Sequence, residues 1–334
     1  MVKFIFDSFF QSTSAILVAE ANLRDEDSDS SVEIIYPDHS RINQLPTLPS
    51  RFSACFAFVL DGELMLIGQY SPQHGSYSQE ELIQMKSECL KLVNGSWSHH
   101  SHCNSRRLRH SACQASTKDA SFVFGGYPSP QTFEYLSKHS SKWEVGQNII
   151  PDGILNGYAI TISNEEIWLI GGALVGDDRT PTARILSFDT RDHSFETLDM
   201  SLIEPRMFHS CAFVPGTDTI IITGGCRGNS LNLWPGIDFT ETIDIRTKTV
   251  IPGPPIIELR EASGIGILRI QNQDRVVIFG GSNEIDEDEG EGERYLDSIE
   301  VYYPERQAWI PANFKLKKYR PAFGFATIKS SDIF

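Results

Sequence analysis

The sequence has no apolar run approaching the 18 residues that a membrane-spanning helix needs. Basic residues are also scarce, because 29 Lys and Arg face 44 Asp and Glu, which gives a net charge of −15. Nucleic-acid binding requires clustered basic side chains, so this charge balance argues against DNA or RNA as a partner. We therefore expect neither a membrane nor a nucleic acid among the partners, and we expect a monomer.

Cysteine is equally sparse, with six residues in a chain of 334. That number is too low for a disulfide framework. The N-terminal segment has no uninterrupted apolar core of a signal peptide, because Asp7, Ser8 and Gln11 break it. We expect a cytoplasmic protein, with secretion as the alternative.

Catalytic motifs are missing as well. The sequence contains neither the GxSxG nucleophile motif nor the HExxH metalloprotease motif. None of its glycine pairs is followed by the Lys-Ser/Thr of a phosphate-binding loop. We therefore expect no catalytic residues, no cofactor and no metal.

What the sequence does contain is a repeated apolar segment that ends in two glycines. The four clear copies are SFVFGG at 121–126, EIWLIGG at 166–172, TIIITGG at 219–225 and RVVIFGG at 275–281. Two weaker copies are AILVAEA at 15–21 and ELMLIGQ at 63–69. A period of about 50 residues indicates a repeat architecture, in which stacked units share one core.

Each unit reads as four short strands, a to d, in which strand b carries the double glycine. Strand a usually begins with Arg, strand c alternates and ends near an aromatic residue, and strand d often contains Trp. Examples are RHSAC, SFVFGG, TFEYL and KWEV in one unit, and REASGIGIL, RVVIFGG, DSIEVYY and QAWI in another. A glycine pair after strand b allows positive φ and close backbone approach, so we interpret it as structural.

This pattern resembles the kelch repeat, whose units are four-stranded blades of a β-propeller. The resemblance implies an all-β, six-bladed kelch-type propeller that forms one domain over residues 1–334. In it the N- and C-terminal strands share one blade, which removes exposed sheet edges. The predicted blades are blade 1 (14–48 with 320–328), blade 2 (51–100), blade 3 (109–147), blade 4 (156–200), blade 5 (206–252) and blade 6 (260–312).

A set of arginines at the start of strand a is the first candidate binding site. The set is Arg51, Arg109, Arg206, Arg260 and Arg320, with Asn156 assigned to the matching position of blade 4. Strand a is innermost in a propeller, so these side chains should surround one mouth of the channel. They would capture an acidic ligand, as arginines of this region do in kelch domains that recruit acidic peptides. Alternatively, they cap strands or pair with acids of the blades.

Two acidic runs follow strand b in blades 1 and 6, which closure would make neighbours. We expect an acidic rim that contains Asp25, Glu26, Asp27, Asp286, Glu287, Asp288 and Glu289. The rim would be either a pair of solvated loops or a docking site for a basic partner. Trp234, in a long loop of blade 5, would be either an exposed anchor or a side chain packed against its own blade.

A histidine-rich tract, His99-His100-Ser101-His102-Cys103, resembles a metal-binding sequence, with His110 and Cys113 nearby. Successive residues of a strand point to opposite faces, which predicts that not all of these side chains can share one ion. Cys55 and Cys113 occupy equivalent positions, so we interpret both as core residues, with a disulfide between them as the alternative.

Two functions follow from the resemblance. The first is a non-catalytic protein-interaction module or scaffold, which would bind a protein partner through its loops and the arginine-lined mouth, with an acidic peptide motif as the candidate ligand. The second is a propeller enzyme or lectin-like protein that acts on a small sugar or a metal-dependent substrate. Fold alone does not decide between them.

Overall fold

A computed structural model describes residues 14–19, 32–35, 43–49, 52–70, 86–105, 112–175, 180–228, 235–283, 294–317 and 324–329. The protein is all-β, and its antiparallel four-stranded sheets form the blades of a propeller. Among the described residues, the one regular segment that is not a strand is the 3-10 turn Pro304–Arg306. No helix in this part of the chain is long and apolar enough to span a membrane.

Sheet 1 takes its strands from both ends of the described chain, and sheets 2 and 3 follow in chain order. Sheet 1 contains β1 (Ser14–Ala19), β2 (Val32–Ile35), β3 (Asn43–Leu45) and β26 (Gly324–Lys329). Sheet 2 contains β4 (Phe52–Leu60), β5 (Glu63–Tyr70), β6 (Glu88–Val93) and β7 (Ser96–His102). Sheet 3 contains β8 (Ala112–Ser116), β9 (Ala120–Gly125), β10 (Phe133–Ser137) and β11 (Glu144–Val145).

The remaining three sheets follow in chain order. Sheet 4 contains β12 (Tyr158–Thr161), β13 (Glu166–Ile170), β14 (Arg184–Asp189) and β15 (Phe195–Ser201). Sheet 5 contains β16 (Ser210–Phe213), β17 (Thr219–Thr223), β18 (Glu241–Asp244) and β19 (Thr249–Pro252). Sheet 6 contains β20 (Gly264–Ile270), β21 (Gln273–Phe279), β24 (Ile299–Tyr303) and β25 (Ala308–Pro311), and β22 (Ser282–Asn283) pairs separately with β23 (Arg294–Tyr295).

The sheets are arranged in a ring. Their first strands contact one another in the cyclic order β26, β4, β8, β12, β16, β20 and back to β26. Strand β26 pairs with β1 from Ser14 opposite Lys329 to Ala19 opposite Gly324, so strands from the two ends of the chain lie in one sheet. This strand pairing satisfies the backbone of β1 on both sides, because β2 pairs with its other edge.

The core consists of apolar faces pressed together between neighbouring sheets. Phe122, Phe124 and Phe133 of sheet 3 pack against Phe188 of sheet 4, with ring centroids 5.0 to 5.4 Å apart in edge-to-face contacts. Such contacts favour a fixed angle between aromatic planes, and they add to the free energy of burial.

The double glycines join one sheet to the next, as the sequence predicts. Gly125, Gly171 and Gly224, each the first of its pair, have φ between +57° and +67°. A Cβ atom on Gly224 would lie 2.5 Å from the Arg260 carbonyl oxygen in the next sheet. The second glycine of the pair, Gly225, donates its backbone N–H to this same Arg260 carbonyl oxygen over 2.9 Å. Positive φ and close approach are therefore both required here.

Candidate functional site

The propeller has two ends, and they differ in what they carry. In each sheet the first strand begins where the second strand ends, since the two are antiparallel. The loops after the double glycines therefore share one end with the linkers that lead from one sheet into the next. We call this end the loop rim. The tight hairpins between the first and second strands lie at the other end.

Arg206 stands where the linker enters sheet 5 at the loop rim, and its side chain is 0% exposed. Its Nη2 donates to Glu241 Oε1 over 2.7 Å, and Glu241 is itself fully buried. Its Nη1 donates to the carbonyl oxygen of Gly224 over 3.1 Å. The guanidinium also lies over the Phe239 ring, 5.0 Å from its centroid. Both terminal nitrogens of Arg206 therefore bond within its own repeat, whereas its buried Nε has no hydrogen-bond partner among the described residues.

Glu241 also binds the backbone of the linker, in addition to pairing with the Arg206 guanidinium. Its Oε2 accepts the backbone N–H of Ile203 over 2.6 Å, and its Oε1 accepts that of Glu204 over 3.2 Å. Both donors lie in the linker just before Arg206. A buried carboxylate is stable only when it is paired and hydrogen-bonded, and Glu241 meets both conditions. The ion pair thus fixes the backbone of the linker on the loop rim.

Sheet 6 repeats this arrangement. Arg260 is 0% exposed, and it donates to Glu300 Oε1 over 2.7 Å and to the carbonyl oxygen of Gly280 over 3.0 Å. Glu300 accepts the N–H groups of Ile257 over 2.8 Å and of Glu258 over 3.1 Å. In both sheet 5 and sheet 6, a buried arginine–glutamate pair therefore holds the linker that precedes the sheet.

The glutamate recurs in two more sheets. Glu134 of sheet 3 is buried and accepts the backbone N–H groups of Asn104 and of Ser105, the latter over 3.0 Å. Glu33 of sheet 1 is buried and accepts the N–H of Lys317 over 3.0 Å. The arginines predicted for sheets 1, 2 and 3 lie outside the described residues; they are Arg320, Arg51 and Arg109.

Sheet 4 departs from the pattern. Its residue equivalent to Arg206 lies two positions before Asn156, the residue predicted from the sequence. Asn156 has φ +55°, and the residues with the matching conformation are Phe208 (+56°) and Ala262 (+49°). These two follow Arg206 and Arg260 by two positions. The isolated bridges agree, since Leu155 pairs with Ala173 as Met207 pairs with Cys226. The residue equivalent to Arg206 is therefore Ile154, and Asn156 does not belong to the arginine set.

The position that corresponds to Glu241 is also apolar in sheet 4, where it is Leu186. Ile222 lies opposite Glu241 in sheet 5, and the corresponding Leu169 lies opposite Leu186 in sheet 4. Ile154 and Leu186 belong to one buried apolar cluster. An apolar pair thus replaces the ion pair, a replacement that proteins tolerate when both partners change together.

The linker of sheet 4 is held by a different residue. Arg184, at the start of β14, donates to the carbonyl oxygen of Gly153 over 3.1 Å and to the Asp152 carboxylate over 3.0 Å. The preceding linker residue is Pro151, which has no N–H for a glutamate to accept. Burial lowers the pKa of Arg184, and the charge of Asp152 opposes that shift.

Asn156 instead takes part in contacts between sheets. Its carbonyl oxygen accepts the Phe208 N–H over 2.8 Å, and the carbonyl of Phe208 accepts the Ala262 N–H over 2.8 Å. These bonds connect sheets 4, 5 and 6 in turn. The buried side chain of Asn156 lies 3.8 Å from the Met207 sulfur.

These contacts decide between the two interpretations of the described arginines. Arg206 and Arg260 pair with acids of their own sheets and present no surface to the channel mouth. Burial lowers the pKa of Arg206, and the adjacent Glu241 carboxylate opposes this shift. Neither side chain is available to capture a carboxylate from a ligand.

Exposed apolar side chains are concentrated on the loop rim. Ile203 and Ile257 occupy equivalent linker positions, three residues before Arg206 and Arg260, and are 50% and 53% exposed. Among the described residues, the other exposed apolar side chains of this rim are Tyr127, Ile149 and Val175. Val175 lies against the neighbouring linker, because a Cβ on Gly153 would meet its Cγ2 at 2.6 Å. A surface of this composition suits contact with another protein.

Other predicted site residues cannot be placed. Trp234 lies outside the described residues, and so do the members of the proposed acidic rim, Asp25, Glu26, Asp27, Asp286, Glu287, Asp288 and Glu289. Five cysteines are described as buried: Cys89, Cys103, Cys113, Cys211 and Cys226. Burial raises the pKa of Cys113 to about 12, so its thiol is unreactive at neutral pH. Cys113 has a free thiol, and the side chain of Cys55 lies outside those described.

His209, between sheets 4 and 5, is a buried titratable group, and its side chain approaches Gly171 of the neighbouring repeat. Burial, and then the charge of Arg206, lowers its pKa to about 3. The unfolded chain therefore binds a proton below pH 6.5 that the folded chain does not bind until about pH 3. Stability should fall by up to about 1.4 kcal/mol per pH unit as the pH decreases through this interval.

We expect His209→Gln to reduce this pH dependence, measured as the free energy of unfolding in urea between pH 7 and pH 4. The control is His139→Gln, because the side chain of His139 is 72% exposed. It should keep the slope of the unmodified protein. Equal slopes for all three proteins would contradict the assignment.

The buried glutamates were not identified from the sequence, although a signal was present. A glutamate occurs at the start of strand c in VEII, TFEYL, TETIDI and SIEVYY. The sequence separation between this glutamate and the paired arginine differs between repeats, at 35 residues in sheet 5 and 40 in sheet 6, because the intervening loop varies in length.

No protein-family model and no curated protein matches the chain.

Proposed function

We propose that the chain is a six-bladed kelch-type propeller that serves as a non-catalytic protein-interaction module and binds a protein partner on its loop rim. The six four-stranded sheets, the ring of first strands and the double glycines between sheets support this fold assignment. Each sheet then corresponds to one blade, and sheet 1 is the blade that the two chain ends share.

The observation that carries the function is the pair Ile203 and Ile257. Each is about half exposed, and each has its backbone N–H bound by a buried glutamate. An apolar side chain on a fixed backbone loses little conformational entropy when a partner covers it. The buried ion pairs therefore support a pre-ordered apolar surface, which is a property of interaction sites rather than of catalytic ones.

The chemistry of the partner follows from this surface. An acidic peptide cannot be held by Arg206 or Arg260, since both are buried and paired. We propose a partner that places apolar side chains between the linkers of blades 4, 5 and 6. Such anchors usually dominate the binding free energy of a protein interface.

We also propose a cytoplasmic location. The thiols of Cys89, Cys113 and Cys211 are buried and free. Free thiols of this kind persist in reducing compartments, whereas disulfides form in oxidising ones.

The test replaces the two rim isoleucines together, as Ile203→Glu with Ile257→Glu. We expect the affinity for the partner to fall about hundredfold, because two desolvated anchors would each acquire a charge. The matched control is Ile251→Glu with Val145→Glu, which changes two side chains of similar exposure (58% and 50%) on outer strands.

The measurement is affinity purification with quantitative mass spectrometry, supported by thermal melting of each variant. A partner retained by the unmodified protein and by the control, but lost by the rim variant, supports the proposal. Recovery of the same proteins by all three, with equal melting temperatures, would refute it.

A further inference from the structure

The histidine tract forms a cluster on blade 2 that none of the preceding functions uses. The members are Glu88 at the start of β6 and His99 and His102 on β7, and their ligand atoms all lie within 4.8 Å of one another. Two imidazoles and a carboxylate match the ligand preferences of zinc and related divalent transition metals.

A β-bulge brings the two histidines to one side of the sheet. Cys89 lies opposite Ser101, and the next residue, Leu90, lies opposite His99, so His100 is one residue in excess on β7. In a regular strand, residues three apart point to opposite faces. The extra residue reverses that relation, so that His99 and His102 are both exposed. Strict alternation therefore does not hold at this point of β7.

The distances are close to those around a bound ion. His99 Nε2 lies 3.1 Å from Glu88 Oε2, and His102 Nδ1 lies 2.9 Å from Glu88 Oε1. The two imidazole centroids are 4.5 Å apart. Tetrahedral zinc, with bonds of 2.0 to 2.1 Å, places its ligand atoms about 3.3 Å from each other. Small side-chain rotations are enough to convert the present contacts into coordination.

The cysteines of the tract do not contribute. Cys103 is buried in the cluster that contains Phe58 and Trp143, and Cys113 is buried in another. Both sulfurs lie in apolar cores. The ligand set is thus two nitrogens and a carboxylate.

We propose that Glu88, His99 and His102 bind one divalent transition-metal ion of the zinc class. Glu88 lies directly opposite His102 in the ladder, so the ion joins β6 to the outermost strand β7. Three ligands from the described residues leave one position of a tetrahedral ion for water or for a group from another molecule. The position lies at the loop-rim ends of β6 and β7, where a partner's side chain can reach it.

The experiment uses the full chain after removal of metals with EDTA, titrated with zinc chloride in a calorimeter. We expect one zinc ion per chain and a melting temperature that rises with zinc and not with magnesium. Each of Glu88→Gln, His99→Gln and His102→Gln should weaken zinc binding at least tenfold. His139→Gln is the matched control, because His139 also contacts a single carboxylate, Asp61, over 2.7 Å.

The possible results separate clearly. Tight binding that the three variants lose and His139→Gln retains supports the site. Absence of zinc binding, or binding that survives His99→Gln combined with His102→Gln, overturns it. Both histidines are exposed, so the substitutions should leave the fold intact. Melting in EDTA checks this directly.

Discussion

Gly224→Ala is expected to lower the free energy of unfolding by about 4 kcal/mol. Single substitutions seldom cost this much unless they introduce backbone strain or a steric clash. The residue has φ +67°, where an L-residue costs about 1 to 2 kcal/mol. The new Cβ would also lie 2.5 Å from the Arg260 carbonyl oxygen. Relief of that clash requires movement of blade 6 against blade 5, which stretches the bond between Gly225 and Arg260.

The control for this variant is Gly216→Ala in the hairpin of the same blade. Gly216 has φ +74°, and a Cβ there would meet no atom within 4 Å. It should cost only the conformational part, about 1 to 2 kcal/mol. Urea denaturation of the two variants measures the difference. Equal losses would show that the glycine pair is selected for its backbone conformation alone, and that close approach between blades contributes nothing.

The double glycine also shows why much of the fold can be predicted from the sequence. Its positive φ is a property of the residue itself, so the residue type indicates this conformation directly, even though the contact of Gly224 is with Arg260 of the next blade. The arginines predicted at the start of the first strand, Arg206 and Arg260, lie instead in the linker, four residues before β16 and β20. What the sequence could not reveal was the side-chain partner, because a loop of varying length separates Arg206 from Glu241.

Two positions depart from simple repeat spacing or strand alternation for the same physical reason, which is a local shift of one or two residues. Asn156 was taken as the counterpart of Arg206 because it is the polar residue at that spacing, whereas the apolar Ile154 occupies the position. The histidine tract was read with strict alternation, whereas a bulge at His100 shifts its register. Pairing register depends on contacts with the neighbouring strand, and one sequence alone does not contain that information.

Blade 4 suggests how the buried ion pair can be tested, since it replaces both partners with apolar residues. Arg206→Met should reduce the free energy of unfolding by about 3 to 5 kcal/mol, because it leaves Glu241 buried without its counter-ion. Glu241→Leu should cost at least as much, because it leaves Arg206 without its counter-ion and also removes the acceptor of two backbone N–H groups. For comparison, Arg191→Met removes an arginine that is 65% exposed and paired with Asp189, and it should cost less than about 1 kcal/mol.

The combined variant Arg206→Met with Glu241→Leu should lose less free energy of unfolding than the two single variants summed, since no isolated charge remains. Recovery should be partial, because Ile203 and Glu204 lose the acceptor of their N–H groups, at about 1 to 3 kcal/mol each. A double-mutant cycle from urea denaturation measures this coupling. If the losses of the single variants simply add, the two residues act independently. Blade 4 would then have acquired Ile154 and Leu186 for separate reasons, and the ion pair would not be what fixes the linker.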